Sequence, residues 1–198
     1  MKKTAFFAGL FALLVFLPAI ASAEENVVNA DSWNKKITYG FGMEYGRRIV
    51  LTQSQRPNPD IFLGSFQVVI PFYTPPKNRF IQNISVSPQA TFGTLISPRE
   101  TIVGFELPLR IHFRPSGRNR FFADLGPGIN NVGHRDRVEV SGRLQFSLLG
   151  RFGIERRLSE KSSRTWELSG GFRHYSDGGT HRRNQDFNAI MIRLAINF

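Results

Sequence analysis

A histidine and a serine lie two residues apart near the end of the chain, at His174 and Ser176, and Asp186 and Asn188 follow after a short polar stretch. In an extended strand, residues i and i+2 point to the same face, with Cα atoms roughly 6.5–7 Å apart. An imidazole at this spacing can reach the serine hydroxyl and accept its proton. A third polar group on a neighbouring strand could hold the other ring nitrogen, as in a catalytic triad. The pattern indicates a nucleophilic serine and its base.

The alternation of the surrounding sequence predicts which face these side chains occupy. The preceding residues with the parity of His174 and Ser176 include the apolar Trp166, Leu168 and Phe172. Asp186 and Asn188 share the parity of Ile190 in the last apolar segment. Successive strand residues alternate between two faces. All four polar side chains are therefore expected to project from the apolar face of two adjacent strands.

Eight segments of the chain alternate between apolar and polar residues with period two, which is typical of β-strands with one apolar face. They cover residues 37–45, 62–72, 80–92, 103–113, 121–130, 143–155, 166–176 and 186–198. Eight strands of roughly 10 residues suit a small membrane barrel with an apolar outside and a polar lumen. We predict an all-β fold, an eight-stranded antiparallel transmembrane β-barrel of the outer membrane.

The polar parity carries charges of both signs in mid-strand, and these are expected to pair inside a narrow lumen. They are Glu44, Glu106, Arg110, Asp124, Arg151, Glu155, Glu167, Arg173 and Arg193. The chain also ends within a strand on an aromatic residue, Phe198, as outer-membrane barrels do. Alternation alone also fits a soluble sandwich or a lipocalin-like fold, which is the alternative architecture.

The N-terminus has the form of a secretory signal peptide. Lys2 and Lys3 precede an apolar stretch, residues 6–20, and Ala21-Ser22-Ala23 fits a cleavage site. We predict a cleaved signal peptide over residues 1–23 and a single barrel domain over 24–198. The chain has no cysteine, so disulfides do not staple it.

Charge and topology predict where the chain meets its partners. An even strand number places both termini in the periplasm, and the connection between residues 176 and 186 then lies at the outer rim. The net charge of +11 would suit nucleic acid, but the signal peptide argues against that partner. Arginine binds phosphate through two parallel hydrogen bonds, so arginines of the outer loops could contact lipid phosphates. The candidates are Arg135, Arg182 and Arg183.

The run Arg173-His174-Tyr175-Ser176-Asp177-Gly178-Gly179, followed by a short polar loop and a terminal strand, resembles the lipid A 3-O-deacylase (PagL) family. The resemblance implies an outer-membrane barrel with a serine esterase site that faces the outer leaflet. His174 would be the general base and Ser176 the nucleophile. The implied reaction is hydrolysis of the ester-linked 3-hydroxyacyl chain at the 3-position of lipid A, without metal or cofactor. The implied partners are lipopolysaccharide and outer-membrane lipids, with a homodimer left open.

Two positions depart from the family pattern. The asparagine that follows the family's serine, assigned to the oxyanion hole, is Asp177 here, and the amides of Gly178 and Gly179 are the alternative donors. The family's acidic triad member falls on Asn188, with Asp186 as the alternative. These departures motivate a second hypothesis, a non-catalytic barrel of the same fold with a structural or binding role.

Overall fold

The computed structural model describes residues 37–49, 60–75, 80–96, 99–133, 143–159, 162–176 and 187–198. The predicted signal peptide, residues 1–23, lies outside these ranges. The described residues form ten β-strands: β1 Thr38–Ile49, β2 Asp60–Tyr73, β3 Ile81–Val86, β4 Gln89–Leu95, β5 Glu100–Glu106, β6 Leu109–Phe113, β7 Asn119–Val132, β8 Leu144–Arg157, β9 Thr165–Ser176 and β10 Phe187–Asn197. Within them, no helix is long and apolar enough to cross a membrane.

The strands form one antiparallel sheet whose pairings return to their starting point. β10, β9, β8 and β7 pair in succession, and β7 pairs with both β5 and β6. β5 pairs with β4, and β6 pairs with β3. Both β4 and β3 pair with β2. β1 then pairs with β2 on one side and with β10 on the other. The sheet is therefore closed into a barrel, which leaves neither β1 nor β10 as an open edge.

The sequence predicts one continuous strand over residues 80–92 and another over 103–113. Both predictions of continuity are wrong, because each strand is interrupted. Pro88 separates β3 from β4, and Pro108 separates β5 from β6. Proline has no N–H to donate to a ladder and is found in sheets at edges or irregularities. The sheet still continues past the break, because the Val68 amide donates to the Pro88 carbonyl at 3.0 Å. Counting each interrupted pair as one strand gives the predicted eight.

The outer surface of the barrel is apolar along every strand, as the alternation predicts. Its exposed side chains include Met43, Phe62, Phe105, Leu125, Phe152 and Ile192, the last of which is 60% exposed. Apolar exposure on this scale is not tolerated by a water-surrounded monomer and is typical of a lipid-facing surface. The structure thus confirms the barrel with an apolar outside and excludes the soluble sandwich.

The lumen holds a network of buried ion pairs, and all nine charges predicted there are buried. Arg110 lies at its centre. Its guanidinium donates to Asp124 at 2.7 Å, to Glu155 at 3.0 Å and to Glu167 at 3.1 Å. Glu167 also binds Arg193. Arg110 and these four partners come from five strands, β6 to β10, so the network ties opposite walls of the barrel together.

A second part of the network is centred on Arg173, which lies on the same strand as His174 and Ser176. The Arg173 guanidinium contacts Glu106 at 2.9 Å and Glu44 at 3.1 Å. Arg151 contacts Asp124 at 2.5 Å. Since Arg173 and His174 are neighbours on β9, the buried arginine fixes the strand while the histidine faces outward.

The lumen becomes apolar at one end of the barrel. We call this the distal end, at which β1, β4, β7 and β9 end; the proximal end is the opposite one. A buried cluster fills the distal lumen: Ile61, Leu63, Leu95, Ile102, Val132, Tyr175, Ala189 and Met191. Tyr175 and Ala189 are 2% and 0% exposed. Because both residues are closely packed in this cluster, the end of β9 and the start of β10 have little freedom to move.

The central role of Arg110 gives a stability prediction. Arg110→Leu leaves Asp124, Glu155 and Glu167 with one arginine each. The buried network then holds one uncompensated negative charge, so we expect a loss of about 3–5 kcal/mol in unfolding free energy. The measurement is urea unfolding in detergent micelles, followed by tryptophan fluorescence. Arg156→Leu removes an exposed arginine on the outer surface of β8 and should change stability by less than about 0.5 kcal/mol. Equal losses in both variants would contradict the role of the lumen network.

Candidate active site

His174 and Ser176 lie at the end of β9, and Asn188 lies at the start of β10, all at the distal end of the barrel. The antiparallel register places His174 directly opposite Asn188. The three side chains are partly exposed on the outer surface, whereas their chain neighbours Tyr175 and Ala189 are buried in the lumen. The outward parity that the sequence predicts for these three residues is thus present in the structure.

A hydrogen bond joins the two strands at this point. The Nδ1 atom of His174 lies 2.8 Å from Oδ1 of Asn188. An amide oxygen only accepts, so Nδ1 carries the ring proton. In the neutral ring, Nε2 is then the unprotonated nitrogen and is able to accept a proton. The cross-strand contact therefore selects the tautomer that a general base needs.

Ser176 lies two residues beyond His174 on the same outward face. Among the described residues, no hydrogen bond joins its hydroxyl to His174. Such a bond between nucleophile and base is often long before substrate binds and shortens in the reactive complex. The partly exposed hydroxyl is accessible from the outside of the barrel and not from the filled lumen.

The immediate surroundings of the pair are apolar. On β8, Phe146 lies opposite Ser176 and Leu148 lies opposite His174. Both side chains are exposed on the outer surface, at 46% and 42%. Below His174 on β9, the ring of Phe172 lies over Gly150, where a Cβ atom would come within 2.4 Å of the ring. The site therefore lies on an apolar part of the outer surface, and this setting strengthens its polar contacts.

Several predicted site residues lie outside the described residues and stay predictions. They are the oxyanion candidates Asp177, Gly178 and Gly179, the alternative triad member Asp186, and the phosphate-binding candidates Arg135, Arg182 and Arg183. In the part of the chain that the structure describes, no group of three metal-ligating side chains comes together.

The structure extends the first strand beyond its predicted end and brings further polar residues to the outer surface. The alternation predicts that this strand ends at Tyr45, whereas β1 continues to Ile49. Arg47 consequently faces outward, near Asp60 of β2. The signal was present in the sequence, because Arg47 continues the parity of the outward Met43 and Tyr45.

The chain was compared with known families and solved structures. The model of the family described as lipid A 3-O-deacylase (PagL) matches residues 63–197, which is more than half of the chain. No curated protein sequence matches the chain significantly. The crystal structure of the outer membrane enzyme PagL is similar at a TM-score of 0.58 and 11% identity, over 79% of this chain and 97% of that one. Neisserial surface protein A is similar at a TM-score of 0.57 and 8% identity, over 81% and 95%.

At these identities the two solved structures establish a shared barrel fold and nothing finer. The family match is independent of them and includes His174, Ser176 and Asn188. The chain belongs to the lipid A 3-O-deacylase (PagL) family.

Proposed function

We propose that this chain removes the ester-linked 3-hydroxyacyl chain from the 3-position of lipid A by a serine-hydrolase mechanism, with Ser176 as nucleophile and His174 as general base. The observation that carries the proposal is the hydrogen bond between His174 Nδ1 and Asn188 Oδ1, at 2.8 Å on the outer surface of the barrel. It leaves Nε2 available as a base beside a serine of the same face. Family membership supports the substrate.

The reaction follows the usual two stages of acyl transfer. Ser176 Oγ attacks the ester carbonyl while His174 Nε2 takes the hydroxyl proton. The tetrahedral intermediate collapses, His174 returns the proton to the departing sugar oxygen at position 3, and an acyl-enzyme remains. His174 then activates a water molecule that releases the 3-hydroxy fatty acid and restores Ser176. Backbone amides of Gly178 and Gly179 are the proposed donors to the oxyanion.

Asn188 is the proposed third member, in a neutral form of the triad. Its amide oxygen orients the imidazole and maintains the tautomer, as an asparagine does in cysteine proteases of the papain type. It adds no negative charge to stabilise the imidazolium that forms during the reaction. The proposed enzyme should therefore operate below the rate that a carboxylate at this position would allow.

The location of the site fits an ester at the membrane surface. His174 and Ser176 lie on the exterior at the distal end of β9, beyond the exposed apolar Leu168 and Phe172 of that strand. We propose that the distal end faces the outside of the cell, so that the site meets the outer leaflet, in which lipopolysaccharide resides. The chain would then take its substrate laterally from the membrane, without a passage through the lumen.

Ser176→Ala tests the nucleophile. We expect intact cells that produce the wild-type chain to contain lipid A lacking one 3-hydroxyacyl chain, and cells with Ser176→Ala to keep it, since hydrolysis falls at least about 10³-fold. The measurement is mass spectrometry of extracted lipid A. The matched control is Ser169→Ala, which alters a serine of the same strand that faces the lumen and should leave deacylation intact.

Unchanged lipid A in cells that hold the folded wild-type barrel, together with no hydrolysis by the purified chain in detergent, would contradict the proposed function. That result would favour the non-catalytic barrel.

The third member is tested at Asn188. Asn188→Ala should lower kcat by about 10²–10⁴-fold, because the imidazole loses the acceptor that holds its tautomer. Asn188→Asp keeps an acceptor oxygen and adds charge, so we expect kcat to rise above that of the wild type. The measurement is fatty-acid release from lipid A micelles by purified protein. Asp186→Ala is the control and should have little effect. A large loss there, with none in Asn188→Ala, would transfer the role to Asp186.

A further inference from the structure

Arg47 is an arginine on the lipid-facing side of a strand, next to the candidate active site. It lies on β1, which pairs with β10 through a register that places Arg47 opposite Ile190. Asn188 is two residues from Ile190 on the same face, so Arg47 and Asn188 are diagonal neighbours with Cα atoms about 7–8 Å apart. The Arg47 side chain is 73% exposed. A cation on this surface costs free energy unless an anion or the interface accepts it.

Among the described residues, Asp60 lies near Arg47 without covering it. Arg47 Nε lies 3.8 Å from Asp60 Oδ1. The Tyr45 side chain also forms a hydrogen bond to Asp60. The Arg47 side chain is mostly exposed even beside Asp60, and the Nη groups of an arginine form the fork that binds phosphate oxygens in a bidentate way.

We propose that Arg47 binds a phosphate group of lipid A and so positions the scissile ester at Ser176; the identity of the lipid rests on the proposed function. Lipid A carries its phosphates on the same disaccharide as its acyl esters. A phosphate held by Arg47 would place the sugar over β10, between the arginine and the His174–Asn188 pair.

Binding is measured first, in the Ser176→Ala background, so that no lipid is consumed. The probes are bisphosphorylated lipid A and chemically dephosphorylated lipid A in detergent micelles. Adding Arg47→Gln should weaken binding of the phosphorylated lipid about 10-fold, the usual effect of losing a charge-assisted hydrogen bond. Binding of the dephosphorylated lipid should not change. Arg47→Lys keeps a point charge without the fork and should give an intermediate loss.

Arg156→Gln is the matched control, since it also removes an exposed arginine from the outer surface, but at the proximal end of β8. It should bind both lipids like its parent. Equal weakening of both lipids by Arg47→Gln, or no weakening of either, would overturn the proposal.

Hydrolysis separates this proposal from the proposed function. With Ser176 intact, Arg47→Gln should lower kcat/KM about 10-fold on the phosphorylated lipid only. Loss of phosphate-dependent binding without any hydrolysis by the wild type would retain the phosphate site and reject the deacylase. Hydrolysis that is independent of Arg47 on both lipids would retain the deacylase and reject the phosphate site.

Discussion

The fold depends on closure of the sheet through the pairing of β1 with β10. In a lipid environment every backbone N–H and C=O must find a partner within the protein, which open sheet edges do not allow. The ten residue pairs from Gly40–Asn197 to Ile49–Asn188 supply those partners where β1 meets β10. The same pairing brings Arg47 next to the start of β10. Closure therefore determines both the integrity of the barrel and the neighbours of the candidate site.

Each strand residue of a closed barrel faces either the lumen or the outside. The last four residues of β9, 173–176, alternate between these two environments. Arg173 and Tyr175 point into the lumen, where the arginine joins the charge network and the tyrosine joins the apolar cluster. His174 and Ser176 point outward. The inward pair holds the strand rigidly, because buried ions and close-packed rings tolerate little displacement. The outward pair, which we propose as base and nucleophile, does not contribute to the core.

The filled lumen has a functional consequence for the location of chemistry. Ion pairs occupy the centre and apolar side chains occupy the distal end, so the described interior is a packed core. The proposed chemistry on a membrane lipid therefore requires the outside of the barrel, where the apolar Phe146 and Leu148 lie opposite Ser176 and His174. The neutral Asn188 adds no charge to this surface.

The sequence by itself determined the strand number, the two faces of each strand, the charged lumen and the outward projection of His174, Ser176 and Asn188. These follow from period-two alternation, which is a local property. Only the tertiary structure decided that His174 lies opposite Asn188, because register between β9 and β10 depends on pairing across a loop. It also decided that Arg47 neighbours the site, since β1 and β10 are joined by closure and lie far apart in sequence. Pro88 and Pro108 are visible in the sequence. Whether a proline ends a strand or only leaves one hydrogen bond of the ladder unmade depends on its neighbours in the sheet.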